Sequence, residues 1–398
     1  MTTIVSTREG TVGTATLTFM AIAAALGTAT IYPLQPAVAE VSGALGVTIA
    51  AMGVALACGP VGYMVGLALL VPLVDRFSPR VVLALQFVAL TAALVLTAVS
   101  GTVWLIGLAM LVTGACSSVG AGLSSVVGRS APPARRSTSL GIVTAGISAG
   151  ILGGRILGGW LSDLVGWRNM LLLAAAACVV VAVVCLRILP ASEGSVTQGY
   201  LAALVSTPAL FRRSRVLRGG AVRGALWFFA FCAVWSGIAV ALSEPPLSLS
   251  AEQIGLYGLA GISGIFATRL AGRWTDRVGP RPVILAGLVT AGASCVILVC
   301  GLSNVAVTLV ALALFDAGLF AAQVANQTTI LAVNPQAPAQ FNGAYMLVYF
   351  IGGSLGTGFG TAVVAGVGWS ACIAVCGAAI AAAGALTRSM SQGDSEVL

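Results

Sequence analysis

Histidine and lysine are absent from this chain, and charge of either sign is scarce: 19 basic residues, all of them arginine, and 11 acidic residues in 398 positions. Each absence excludes something. Without lysine there is no G-x-x-x-x-G-K-[ST] phosphate loop, so drive by ATP through that motif is ruled out. Without histidine no imidazole relays protons. No nucleophile–base pair and no metal-ligand spacing stands out, so the sequence asks for no cofactor and no metal, and an enzyme or a receptor is the least favoured class. The nine cysteines all fall inside apolar runs and read as small buried residues. No segment is long and polar enough to form a separate soluble domain.

What is present is hydrocarbon. The hydrophobic fraction is 59% and only 8% of residues are charged, against about 25% charged in ordinary soluble domains. The solvent that suits such a chain is the lipid bilayer. A span needs roughly 20 apolar residues, and twelve such runs are legible, near 14–34, 49–73, 81–99, 103–127, 139–161, 169–189, 224–242, 253–273, 283–301, 305–328, 341–364 and 370–387. The first is longer than a signal-peptide core and is read as an uncleaved helix. The expected fold is an all-α membrane protein: a bundle over residues 1–189, a basic linker over 190–223 and a second bundle over 224–398. Within the linker, 200–204 and 210–217 have the pattern of an amphipathic segment, and a plain basic connection is the competing reading. The arginines cluster in alternate loops, and the positive-inside rule then puts both termini in the cytoplasm. The net charge of +8 is topology, not a nucleic-acid surface.

The chain repeats itself. Asp75-Arg76-Phe77-Ser78-Pro79-Arg80 returns as Asp276-Arg277-Val278-Gly279-Pro280-Arg281 after 201 residues. Gly166-Trp167 returns as Gly368-Trp369 after 202, and Gly114 as Gly318 after 204. Near-constant offsets indicate two parallel six-helix halves, pseudo-symmetric about the membrane normal. Helix five carries Gly146, Gly150, Gly154 and Gly158, and helix eleven carries Gly352, Gly356 and Gly360. Such stripes serve close helix packing; a sliding surface between the halves is the alternative.

These motifs resemble the major facilitator superfamily over nearly the whole chain. The loop after helix two in that family reads G-x-L-x-D-R-x-G-R-R. The copy starting at Gly272 keeps both glycines, while the first copy has Val71, Ser78 and Pro79 at departing positions. Tyr32-Pro33-Leu34-Gln35-Pro36, Gly154-Arg155-Ile156-Leu157-Gly158-Gly159 and Gly166-Trp167-Arg168 are similar to the bacterial drug- and sugar-efflux group of proton antiporters. Two departures stand out. Met110 occupies the position where the family often has arginine in helix four, and Ile151 follows Gly150 where antiporters often have proline. The resemblance implies a monomer in the cell membrane, with helices one, four, seven and ten around a central cavity.

A charge inside a span is costly and marks function by default. Asp316, mid-depth in helix ten, is a candidate to take up and release a proton or to touch substrate; a structural hydrogen-bonded acid is the plain alternative. Arg155 in helix five either holds an anionic group or pairs structurally with an acid. Asp163 lies two turns on, about 12 Å along the helix and too far for that pairing. Asp316, Phe320, Gln323 and Gln327 share one face of helix ten. Of these, Phe320 and Gln323 join Thr28, Thr113, Ser117, Arg155, Trp235 and Tyr349 as the expected substrate-cavity set, with Asp316 as the proton-coupling candidate. Asp75, Arg76, Arg80, Asp276, Arg277 and Arg281 form an expected cytoplasmic gate. Its first copy, having lost its glycines, is expected to latch more weakly. The function read from this pattern is a secondary transporter of a small amphipathic molecule by alternating access, exporting it as protons enter at Asp316. The alternative is an importer or facilitator of a small metabolite or organic anion.

Overall fold

Apolar runs of 20 or more residues have one outcome in lipid: they close their own hydrogen bonds as helices. The computed structural model describes residues 13–132, 135–189, 209–334 and 338–393. Eleven helices among them are long and apolar enough to cross a membrane. They are α2 Ile49–Arg76, α3 Pro79–Val99, α4 Val103–Ser130, α5 Thr138–Val165, α6 Trp167–Ile188, α7 Arg215–Ser243, α8 Ala251–Val278, α9 Pro280–Gly301, α10 Val305–Ala332, α11 Gln340–Gly366 and α12 Trp369–Met390. A shorter apolar helix, α1 Thr14–Ala29, precedes them and completes the twelve. It stops earlier than the run of apolar residues suggests. The chain turns through residues 30–37, where Pro33 and Pro36 have no N–H to continue a helix. A short helix, Val38–Leu45, follows.

The ends are fixed locally. Thr48, Ser214 and Asn304 cap α2, α7 and α10 by accepting from the N–H of Ala51, Leu217 and Val307. Ser250 and Gln253 form a reciprocal capping box at the start of α8. Pro79 and Pro280 open α3 and α9, where the missing N–H has no cost. Helix seven begins at Arg215, nine residues before the expected boundary, because Ser214 caps it there. Leu210 and Phe211 pack against a cluster containing Leu217, Ile330, Phe341 and Tyr345. That end of the linker therefore folds onto the second bundle instead of lying apart as an amphipathic strip. Its other candidate segment, 200–204, is outside the described residues.

The duplication holds at atomic level in the packing of α1 on α5 and of α7 on α11. A Cβ placed on Gly146, Gly150 or Gly154 would strike the backbone carbonyl of Ala21, Ala25 or Ala29. One on Gly352, Gly356 or Gly360 would strike that of Ala225, Phe229 or Ala233. The glycine stripes thus face the first helix of their own half, and a sliding surface between the halves is not what they form. Gly166 and Gly368 also correspond, both at positive φ (81° and 109°) in the turns before α6 and α12. Two landmarks diverge. Gly114 abuts Gly59 of α2 whereas Gly318 abuts Gly287 of α9, so that pair shares an offset and not a neighbour. Gly279 sits at φ 84° while its counterpart Ser78 sits at −59°. The first loop makes a different turn, one that a side chain can occupy.

Side chains pointing away from the bundle are apolar and exposed, among them Leu85, Val180, Val296 and Leu355. That is the surface a lipid-solvated bundle presents, since tails offer polar groups nothing.

Candidate functional site

The two halves meet along two seams, α5 against α8 and α2 against α11. Small residues permit both. Gly159 lies against the Ala251 carbonyl and Gly255 against that of Arg155, while Gly53 receives Thr361 and Gly358 receives Ala57. These contacts sit toward the face opposite the Asp75 and Asp276 loops. There Asp163, at the far end of α5, accepts a hydrogen bond from the Glu252 N–H in the first turn of α8 (2.9 Å). A carboxylate on an exposed helix N-terminus contributes about 1 kcal/mol. Asp163→Ala is expected to shift the balance of states toward opening on that face by about five-fold. The check is labelling of Cys232, a cavity residue, by an impermeant maleimide from that face in a Cys300→Ser background. An unchanged rate would show that this cap does not hold the seam.

Between the seams and the loops lies a cavity of about 210 Å³. Nine rings line it: Tyr32, Tyr63, Trp227, Phe228, Phe231, Trp235, Phe320, Tyr349 and Phe350. They touch one another. Phe228 stacks on Tyr349 at 3.9 Å between centroids, and Tyr63 meets Phe350 across the halves at 4.9 Å. Local sequence explains the α7 contribution. Phe228, Phe231, Cys232 and Trp235 are spaced at +3, +4 and +7, one helical face.

Two buried charges stand at and behind this wall. Arg155 of α5 is 5% exposed and Asp316 of α10 is 2% exposed. Arg155 donates from Nε to Gln35 Oε1 at 3.0 Å. Its guanidinium lies over the Tyr32 ring at 4.7 Å and over the Trp235 ring at 4.5 Å. Trp235 in turn donates from Nε1 to Asp316 Oδ1 at 3.0 Å. One indole thus links a cation of the first half to an acid of the second. A desolvated guanidinium–aromatic contact contributes about 2 kcal/mol.

Of the expected cavity residues, Thr28, Arg155, Trp235, Phe320, Gln323 and Tyr349 line the wall. Thr113 and Ser117 do not: both are buried, and Ser117 shares a 2.9 Å hydrogen bond with Thr30, just past the end of α1. Their depth in the helix is as expected; the face they occupy is the packed one. Asp316 stands behind Trp235 instead of on the wall. Gln323 accepts from the Tyr345 hydroxyl and Gln327 donates to Asn342 at 2.8 Å. Sequence reasoning did not assign Tyr32, Gln35, Tyr63 or Phe350 to the cavity; Tyr32 and Gln35 follow α1 and stood only in the family-like motif, and the ring spacing on α7 was a second available signal.

The loop-face contacts of Asp75 and of Arg281 stay within their own halves. Asp75 pairs with Arg129 and accepts from Ser125 at 2.6 Å, all within the first half. Arg281 donates to the Arg388 carbonyl within the second. Asp276, Arg277 and Arg80 are exposed. The acid with an ion-pair partner belongs to the copy that lost its glycines, because Arg129 of α4 has no arginine counterpart near the end of α10. Among the described residues no cluster of three or more His, Cys, Asp or Glu side chains is placed to hold a metal ion.

A family model for the Major Facilitator Superfamily matches residues 17–244 and 224–391. The chain is 32% identical over 363 residues to the probable transporter SCO4007 of Streptomyces coelicolor, covering 91% of this chain and 84% of that protein. It is 28% identical over 367 residues to the putative uncharacterized transporter YgaY of Escherichia coli K12, covering 92% and 93%. Among solved structures, a mutant of the nucleoside transporter NupG superposes with a TM-score of 0.78 at 14% identity, covering 94% of this chain and 99% of that one.

Proposed function

The chain belongs to the major facilitator superfamily of multi-pass membrane transporters, and on that footing we propose that it carries a small amphipathic organic molecule by alternating access, coupled to protons at Asp316. One observation carries the reading: the ring-lined cavity lies at the junction of the halves, with Arg155 from one half and Asp316 from the other joined through Trp235. A rocking of the halves changes the Arg155–Trp235 contact, which crosses between them, and leaves the Trp235–Asp316 hydrogen bond within the second half. Aromatic walls with a few fixed polar groups suit a ligand with an apolar body and one polar end.

The loop face is assigned to the cytoplasm, since Arg76, Arg80, Arg129, Arg277 and Arg281 gather there. The opposite seam is then the extracellular closure. Direction follows from how proton and cargo are linked. If they compete for the site, an inward proton gradient drives export, the direction implied by the likeness to the efflux group. If they bind together, the same gradient drives uptake.

Alternating access has a test that needs no cargo. Cysteines at Asp163 and Glu252, in the Cys300→Ser background, are joined by a short reducible cross-linker. Cys232 is expected to be labelled from both faces before linking and from the loop face alone afterwards, with reduction restoring both. Labelling from the opposite face while the link is intact contradicts the proposal.

A further inference from the structure

The geometry points to a cargo that is a planar aromatic monoanion, seated with its carboxylate on Arg155 and taken up together with a proton on Asp316. This rests on the transporter reading above and adds the charge of the cargo and the sign of the coupling.

The charged group that lines the cavity is the cation. Arg155 commits Nε to Gln35, and rings of Tyr32 and Trp235 flank its plane. Neither terminal nitrogen has a partner among the described residues, where the one ion pair is Arg129–Asp75. A guanidinium fixed in this way presents an edge that matches a carboxylate with two parallel N–H donors. The flanking rings continue into the aromatic wall, so a flat body attached to that carboxylate stacks on Phe228, Phe231 and Tyr349. An organic cation entering the same space meets Arg155 first and finds no acid on the wall.

Asp316 does not supply the missing carboxylate. Oδ1 accepts from Trp235, and Gly261 of α8 stands so close that a Cβ there would lie 3.3 Å from Oδ2. From α5 the charged group that acts on Asp316 is Arg155, across the indole. α9 brings only Arg281 at its start, Cys295 and Cys300, and Tyr345 of α11 is engaged by Gln323. The acid therefore offsets the arginine at a distance without occupying its donors. When Asp316 takes a proton, the full positive charge of Arg155 is available to an anion. By reciprocity, a bound anion favours the proton to the same degree. Cargo and proton then bind as a pair, which makes uptake the direction an inward proton gradient drives.

The test uses the purified full-length protein in lipid nanodiscs and three matched probes: 1-naphthoate, neutral 1-naphthamide and the cation of 1-naphthylmethylamine. Calorimetry in two buffers of different ionisation heat reads affinity and protons exchanged. The expected result is that naphthoate binds at least about ten-fold tighter than the amide, the ammonium binds more weakly still, and naphthoate binding takes up protons in wild type but not in Asp316→Asn. Arg155→Gln is expected to remove the preference for naphthoate. Arg155→Lys, which keeps the charge and loses the fork, retains preference over the cation at reduced affinity and serves if the glutamine variant does not fold. Tighter binding of the ammonium, proton release on naphthoate binding, or an unchanged preference in both arginine variants overturns the proposal. Failure of all three probes to bind overturns it too, and leaves alternating access to be judged by the cross-linked seam.

Discussion

Replacing Asp316 with asparagine is expected to leave a folded protein that binds its cargo and has lost proton-driven accumulation. The substitution is narrow. Asparagine has the same shape, and its carbonyl still accepts from Trp235 Nε1, which now bonds to Asp316 Oδ1 at 3.0 Å. What disappears is the carboxyl group proposed to carry the proton. Coupling between two ligands of one protein is typically 1–3 kcal/mol, so its loss reduces accumulation under an imposed pH gradient by up to about a hundred-fold. Exchange of bound cargo across the membrane, which needs no net proton movement, continues. Proteoliposomes loaded for gradient-driven uptake and for counterflow separate the two. Undiminished accumulation in Asp316→Asn would remove this residue from the coupling mechanism. Asp316→Leu serves as the contrast: it leaves the indole N–H buried without an acceptor, which costs about 1–3 kcal/mol of stability, and both activities decline.

The second large effect lies in the packing. Gly150→Leu in α5 and Gly356→Leu in α11 are each expected to prevent recovery of folded protein. At both positions even a Cβ meets a backbone carbonyl of the neighbouring helix, that of Ala25 in one half and Phe229 in the other. Backbone cannot rotate away as a side chain can, so the helices must separate along their length. Overpacking of a single core position costs about 1–3 kcal/mol, the expected range for the alanine variants, and leucine exceeds it. The internal control is Gly153→Ala, one residue from Gly154 on the same helix, where a Cβ meets nothing within 4 Å. It is expected to be neutral. Monodisperse yield and thermal midpoint by size-exclusion chromatography after heating give the ranking. Equal behaviour of Gly150→Ala and Gly153→Ala would mean that the close approach of α1 and α5 carries no stability. The α11 variant should match the α5 variant, since the two contacts are copies.

Much of this was legible in the residues, and the limits are instructive. The glycine stripe at i+4 announced a close helix contact, because spacing along one helix fixes which residues share a face. It did not announce the partner. Nothing local distinguishes a face that meets the first helix of its own half from one that meets the other half. Thr113 and Ser117 show the same limit. Their depth follows from rise per residue, but their bearing toward α1 depends on how α4 is rotated in the bundle. Asp163 was correctly set aside as too far from Arg155; that it caps α8 instead required a helix 89 residues away to be brought beside it.

The sequence alone determined the solvent, the number of spans, the doubling of the chain, and two charges set deep inside the spans, Arg155 and Asp316. Those follow from local chemistry: apolar length, capping residues, proline and glycine, and the cost of a charge in lipid. Tertiary structure alone decided that Arg155 faces the cavity while Asp316 stands behind Trp235, and that Asp75 and Arg281 bond within their own halves. These depend on which faces of separate helices meet, an outcome set by side-chain shape at contacts far apart in the chain. The arginine at the wall and the acid one indole away are therefore the part of the transporter that no reading of the residues in order supplies.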